Sequence, residues 1–393
     1  MPITPGITQT FLGNGDGGAN VQGQDRVHVA RSISLWKAIV EGQAGALARW
    51  TLGPLLTALS VPYDWGHRLR LQAYHMRWAT VRQLPCRVIS IGNLTLGGTG
   101  KTPIVEAVAD LLRREGIRVG VLSRGYGGSV QSGITVVSDG TRCLVSPEIA
   151  GDEPVLLAEH LADVPVIVGK DRYAAGRLAV DRFGLDALVL DDGFQHVQLA
   201  RDLDIVLLDS ARPLGNGRLF PRGDLRERPT AMARADAIVL THCDTDAVPA
   251  LAAPLCGTSA RPLFRSQHTP LDLRRLADGH ILPLASLKGQ RLLAFCGIGT
   301  PQHFRLTLQR LEAEIVAFMA FPDHHPYTRA EIERLALRAT QDHVDVLVTT
   351  EKDGMRLRQL QPLPGQMWEL RIGATIVERT AAWKACILGP FGG

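Results

Sequence analysis

Cys86-Arg-Val-Ile-Ser-Ile-Gly-Asn-Leu-Thr-Leu-Gly-Gly-Thr-Gly-Lys-Thr102 joins a short apolar β run to a glycine-rich loop and a Lys-Thr pair. Ile104, Val105, Val108, Leu111 and Leu112 follow at helical spacing. A strand, a glycine loop and a helix in this order build a cradle for nucleotide phosphates. Glycines let backbone N–H groups converge on an anion. In such a cradle Thr95, Leu96, Gly97, Gly98, Thr99 and Gly100 form the loop. Lys101 reaches the outer phosphates, and the Thr102 hydroxyl sits on Mg2+. The position six before Lys101 is Thr95 where the usual loop has glycine, so Gly97 and Gly98 have to supply the flexibility.

Outward from this junction the chain alternates. Strand-like runs fall near 87–91, 118–122, 165–168, 186–190, 204–208 and 236–241, with helical runs at 104–115, 153–162 and 171–183 between them. That alternation predicts an α/β fold, a P-loop NTPase-like parallel sheet flanked by helices. Residues 245–285 read as irregular. A second set then begins: strand 291–296, helix 302–313, strand 315–320, helix 328–340 and strand 344–349. The expected division is a disordered extension at 1–30, a helical membrane-interface segment at 31–84, a phosphate-loop core at 85–285 and a smaller α/β lobe at 286–393.

Bulk properties limit the function classes. The 393 residues are 45% hydrophobic and 21% charged, enough for two cored domains. A net charge of +4 gives no reason to expect nucleic acid as a partner. Six scattered cysteines without a C-x-x-C pair suggest reduced thiols in the cytosol. Residues 1–30 lack the basic-then-apolar pattern of a signal peptide. No stretch of 18 apolar residues appears, so no helix is expected to span a membrane.

Residues 33–61 place Ile33, Leu35, Trp36, Ile39 and Val40, then Leu47, Trp50, Leu52, Leu55, Leu56 and Leu59, at helical spacing, with Pro54 expected to break or kink the run. Residues 65–105 contain no Asp or Glu, and carry Arg68, Arg70, Arg77, Arg82 and Arg87 among Trp65, Tyr74 and Trp78. Such a segment suits an anionic membrane interface. Packing of the apolar stripe on the protein's own core is the competing explanation.

Several segments carry candidate chemistry. The strand 187–190 ends in Asp191-Asp192, the place where an acidic side chain holds Mg2+ in nucleotide-binding sheets. Alternation along the strand aims one of the two at the metal; a turn cap is the alternative. Asp152 opens the helix at 153–162 as either its N-cap or an acceptor for a hydroxyl proton. Asp323 and His324 lie in the loop Phe321-Pro-Asp-His-His-Pro-Tyr327, which could reach an interlobe cleft. Arg222, Arg226 and Glu227 share a glycine-containing loop that could bind a phosphate or join the metal.

Taken in order, Ile91–Pro103, Ser123-Arg-Gly-Tyr-Gly127, Gly151-Asp-Glu-Pro154, Asp191-Asp-Gly-Phe-Gln-His196, Leu225-Arg-Glu227, Phe321-Pro-Asp-His-His325 and Thr350-Glu-Lys-Asp353 resemble the tetraacyldisaccharide 4'-kinases of lipid A biosynthesis. The resemblance runs from roughly residue 45 to residue 372 and includes the threonine at the head of the phosphate loop. Two features depart from the family: the first 30 residues have no counterpart, and Arg228 follows Glu227 where the family usually has proline.

The resemblance implies ATP and Mg2+ as cofactors. It implies transfer of the γ-phosphoryl group to the 4'-hydroxyl of an acylated glucosamine disaccharide 1-phosphate, between two α/β/α lobes. On this chain it implies Asp152 as the base, assisted by His324, with Lys101 on the phosphates and Thr102, Asp191, Asp192 and Glu227 around the metal. It implies a peripheral protein on the anionic, cytoplasmic face of the bacterial inner membrane; a monomer is the expected state. Two other classes fit the loop alone. One is a P-loop enzyme acting on a soluble acceptor; the other is a nucleotide switch, for which no Asn-Lys-x-Asp-type loop is found.

Overall fold

A computed structural model describes residues 36, 38–40, 42, 45–126, 128–129, 133–243 and 261–389. The expected extension at 1–30 lies outside them. A long helix α1 (Ala46–His75) leads to β1 (Arg87–Asn93), and the phosphate loop joins β1 to α2 (Lys101–Arg114). Then come β2 (Val119–Ser123), β3 (Ile134–Asp139), α3 (Pro147–Ala150), α4 (Asp152–His160), β4 (Pro165–Gly169), α5 (Arg172–Phe183), β5 (Ala187–Asp191), β6 (Leu203–Asp209) and β7 (Ala237–Thr241). The second half adds β8 (Leu263–Arg275), β9 (Ile281–Leu282), β10 (Arg291–Cys296), α6 (Pro301–Arg310), β11 (Glu314–Ala320), α7 (Arg329–Gln341), β12 (Val346–Thr350), α8 (Glu351–Leu357), β13 (Met367–Ile376) and α9 (Thr380–Leu388).

One sheet runs through the molecule in the order β11-β10-β12-β13-β8-β7-β6-β1-β5-β2-β4-β3, with β9 paired to β8. Central β1 is parallel to both β5 and β6 and is buried from Val88 to Asn93. A strand covered on both faces is expected to be largely apolar, and Val88, Ile89 and Ile91 meet that demand, with Ser90 the buried polar exception. On one face of this half Ile104, Val105, Val108 and Leu112 of α2 pack with Leu156 and Leu157 of α4. On the other, Ala175 and Ala179 of α5 join Leu84, Val88 and Leu188. The second half has its own two-faced core: Leu335 and Ala339 of α7 on one side, Phe304 and Leu308 of α6 on the other.

The segment expected to be irregular contains β8, which is parallel to β7 at its start and antiparallel to β13 along the rest. It is therefore the strand both halves share. Trp383 and Ile387 of α9 return to the first core. Pro54 does not break α1: the helix continues through both Pro54 and Pro62. Proline interrupts a helix when nothing else holds it. Here the loop at 219–228 grips it from the side. Ser60 donates to Leu219 O at 3.1 Å and Tyr63 to Arg226 O at 3.0 Å. Arg228 binds both oxygens of Asp64 at 2.9 and 2.8 Å, and His67 pairs with Glu227 at 3.0 Å. The departure at Arg228 thus has a partner on α1.

Candidate active site

The register of β1 on β5 sets Ile91 beside Asp191, so the phosphate loop and the acidic turn leave the sheet at the same edge. Gly100 caps α2 with φ of 70° and Gly97 has φ of 115°, left-handed values that glycine adopts without strain. The loop is laced to the segment carrying Arg226: Leu96 N donates to Asp224 O at 2.6 Å and Arg226 N to Leu94 O at 2.7 Å. Thr95 is buried and bridges Leu225, so the residue standing in place of the usual glycine is a strand contact. Asn93 Nδ2 donates to Thr95 O at 2.8 Å, and Gln195 Nε2 donates to Asn93 O at 2.9 Å.

Lys101 Nζ stands 3.3 Å from Asn93 Oδ1 and 3.7 Å from Asp192 Oδ1. Arg226 Nη1 holds both oxygens of Asp192 at 2.9 and 2.7 Å. Burial works to raise the pKa of Asp192, but Lys101 and Arg226 outweigh it and keep the group below its ordinary value. Asp191 differs from its neighbour. It is buried at 3% exposure, and Ser123 Oγ donates to its Oδ2 at 2.9 Å. Burial, reinforced by the charges of Glu153 and Asp192, pushes it up to about 6. Its Oδ1 is buried and has no hydrogen-bond partner among the described residues, and the same holds for Thr99 Oγ1. A buried carboxylate oxygen left without a partner is costly unless a cation faces it. Thr102 is also buried at the start of α2. This donor set, hard oxygens beside a phosphate cradle, fits Mg2+.

Glu227 lies elsewhere. Arg234 binds its two oxygens at 2.8 and 3.0 Å and His67 contacts it at 3.0 Å, an arrangement that overrides burial and holds its pKa at about 2. Among the described residues its contacts run to His67 of α1 and to Arg234.

A second group forms where His324 and Arg356 of the smaller lobe meet Asp152 of α4. Gly151, with φ of 91°, is the N-cap of α4, and Asp152 is its first helical residue. The Asp152 carboxylate makes no capping bond. It meets His324 Nδ1 at 3.3 Å and the guanidinium of Arg356, whose Nη2 lies 2.8 Å from that same imidazole nitrogen. Burial again pulls the carboxyl up, and the hydrogen bonds from His324 and Arg356 bring it below its ordinary pKa. The neighbouring Glu153 pairs with Lys352. Asp353 pins the smaller lobe's own turn, accepting from Gly297 N at 3.0 Å and Thr350 Oγ1 at 2.6 Å. A Cβ on Gly299 would stand 3.4 Å from Gly98 N, so this turn lies against the phosphate loop.

Two arginines went unnoticed in the sequence. Arg356 sits in α8 with no motif around it beyond the preceding Thr-Glu-Lys-Asp. Arg172 is buried and donates to Ser123 O at 2.8 Å, Asp191 O at 3.3 Å and Gly169 O, tying together the carboxyl ends of β2, β4 and β5. Burial drops its pKa to about 10. The aspartate at 171, which caps α5 on Tyr173 and Ala174, was its only visible neighbour signal.

A phosphate loop and acidic strand end on one lobe, faced by charged residues of a second α/β lobe, define a P-loop kinase. The sequence profile of the family described as tetraacyldisaccharide-1-P 4'-kinase matches residues 52–389. A tetraacyldisaccharide 4'-kinase of Syntrophus aciditrophicus is 46% identical over 319 residues, covering 79% of this chain and 85% of that one. One of Geobacter sulfurreducens is 42% identical over 340 residues, covering 86% and 94%. The crystal structure of LpxK from Aquifex aeolicus in complex with ATP superposes with a TM-score of 0.70 at 33% identity, covering 86% of this chain and 99% of that one. The chain belongs to the tetraacyldisaccharide 1-phosphate 4'-kinase family.

Proposed function

We infer that the protein is an ATP-dependent lipid kinase of lipid A biosynthesis that phosphorylates the 4'-hydroxyl of tetraacyldisaccharide 1-phosphate. The observation that carries the reading beyond nucleotide binding is the meeting of Asp152 with His324 and Arg356 from the opposite lobe. A nucleotide switch has no need of a proton acceptor there; a phosphotransferase does.

In this reading Lys101 and the loop amides of 95–100 orient the phosphates of ATP. Thr102, Asp191 and Asp192 would hold Mg2+, which would supply positive charge to neutralise the phosphates. Glu227 is left out of the metal environment and serves as the anchor of α1. Asp152, ionised at neutral pH, accepts the proton of the 4'-hydroxyl as that oxygen attacks the γ-phosphorus. Arg356 and His324 both bind Oδ2 of Asp152 and orient the carboxylate. His324 arrives from the other lobe, so the base is completed by lobe closure. The smaller lobe is best bounded as 267–376, with 380–388 returned to the core.

The acceptor's acyl chains call for docking at a membrane, and α1 supports it. No described helix is long and apolar enough to cross a bilayer. On α1, however, Gly53, Ser60, Asp64 and His67 face the loop at 219–228, while Leu47, Trp50, Val61, Trp65 and Leu69 form a stripe on the other side. Trp50 is 81% exposed and Trp78, just beyond the helix, 80%. Apolar rings turned to solvent beside Arg68, Arg70 and Arg77 suit an anionic lipid surface. The site of action is then the inner-membrane face, with the enzyme peripheral.

Mass spectrometry of tetraacyldisaccharide 1-phosphate incubated with the protein and Mg-ATP tests the function. The expected product gains one phosphoryl group, placed at the 4' position by fragmentation, and Lys101→Ala forms none. No phosphorylated lipid from the wild-type protein would sink the assignment.

A further inference from the structure

Behind the phosphate loop, on the side away from Asp191, lies a cluster that the phosphotransfer account does not use. Asp209 ends β6, His242 follows β7, His268 lies in β8 and His303 in α6. One donor atom each from Asp209, His242 and His303 falls within 4.8 Å of the others. Asp209 Oδ2 is 2.9 Å from His242 Nδ1. The ring of His242 is 4.1 Å from that of His303 and 4.2 Å from that of His268, centroid to centroid. The other oxygen of Asp209 is fixed by the amides of Ala211 and Arg212 at 2.9 and 3.3 Å, and His242 is held at φ of 56°, a left-handed value uncommon for a side chain of its size.

We propose that Asp209, His242 and His303 form a three-residue binding site for a late first-row divalent cation of the Zn2+ class, with an open fourth position. Imidazole and carboxylate are the donors that such ions prefer, whereas Mg2+ selects oxygen. Tetrahedral Zn2+ with bonds of about 2.0–2.1 Å sets its donors roughly 3.3–3.5 Å apart. Asp209 Oδ2 and His242 Nδ1 stand 2.9 Å apart and the His303 donor lies within 4.8 Å of both, so modest side-chain adjustment brings the three onto one ion. The amide bonds to the far oxygen of Asp209 are the outer support that metal-binding carboxylates commonly have.

The location gives the ion a role. The donors come from the end of β6, the residue after β7 and α6, which follows the turn at 297–299 that lies against Gly98. A Cβ on Gly100 would come within 2.8 Å of His268 Nε2 and 3.6 Å of His242 Cε1, so the imidazoles touch the residue that caps α2. A bound ion therefore clamps the smaller lobe to the back of the phosphate loop.

The full-length protein, stripped with a chelator and returned to buffer with excess Mg2+, is incubated with Zn2+ and desalted. Elemental analysis is expected to find about one zinc per chain, and Tm to rise by roughly 5 °C at a hundredfold excess over Kd. Co2+ in place of Zn2+ is expected to give the visible absorption of a tetrahedral nitrogen–oxygen site. His242→Gln and His303→Gln, which keep the volume of the ring positions nearly filled, are expected to lose the zinc and the Tm rise, while Asp191→Asn retains both. Should either glutamine variant misfold by circular dichroism, the Co2+ spectrum of the wild-type protein decides alone. Failure to retain zinc after desalting, equal retention in the folded glutamine variants, or loss in Asp191→Asn would each overturn the proposal without touching the phosphotransfer reading.

Discussion

His160 shows how much one side chain can connect. Its Nδ1 lies 2.9 Å from Glu106 of α2 and its Nε2 2.7 Å from Glu351 of α8, so a single imidazole on α4 bridges the core and the smaller lobe. Burial alone would lower its pKa, but the two carboxylates outweigh that and lift it to about 10. A raised folded-state pKa stabilises the native state fully below the unfolded value of about 6.5 and loses that contribution as pH climbs through about 10. Urea midpoints of the wild-type protein should therefore fall between pH 7 and 10, and His160→Gln should flatten this fall. Parallel profiles for the two would remove His160 from the account. None of this was legible in the sequence, where His160 is one polar residue in a helix and its partners are 54 and 191 positions away. Asp152 was half legible. Its position announced a helix start, but only the pairing with His324 and Arg356 separates a proton acceptor from a cap.

At the scale of elements, β1, β2, β4, β5, β6 and β7 were readable because each is a short run buried on both faces, and the phosphate loop fixed the direction; β3, an antiparallel edge strand only partly buried, was missed. Strand β8 was not. Its thirteen residues alternate poorly between buried and exposed, and Pro270 sits opposite a register shift at Arg371/Ile372 of β13. A strand that changes from parallel to antiparallel neighbours has no single facial pattern to display. Gly92 is a place where an element admits no change. A Cβ there would lie 2.6 Å from Phe194 Cβ and 2.8 Å from Phe194 N, because the acidic turn crosses directly over the end of β1. Gly92→Ala should cost about 1–3 kcal/mol in denaturant unfolding, the usual range for overpacking. An unchanged midpoint would mean that the turn at 191–196 yields freely. Helix α1 makes the complementary prediction, since Trp50 and Trp65 on it, and Trp78 just beyond, are largely exposed. Replacing Trp50, Trp65 and Trp78 by Ser should leave the unfolding midpoint nearly unchanged and abolish flotation with anionic liposomes. Full flotation of the triple variant would place the membrane contact elsewhere.

Across the whole molecule, the continuous sheet gives the two lobes a common spine at β8 and leaves the cleft to be closed by side chains: His160 with two carboxylates, Lys352 with Glu153, Arg356 and His324 with Asp152. In the proposed mechanism the nucleotide phosphates would bind on one side of that cleft and the proton acceptor would be completed from the other. The central claim is that Asp152 takes the hydroxyl proton, and it separates cleanly from nucleotide binding because Asp152 makes no contact with Lys101 or the phosphate loop among the described residues. The direct measurement is turnover of tetraacyldisaccharide 1-phosphate by Asp152→Ala, with ATP affinity measured on the same preparation. The account predicts a kcat lower by on the order of a hundredfold or more with ATP affinity little changed. Near-normal turnover by the variant would contradict it.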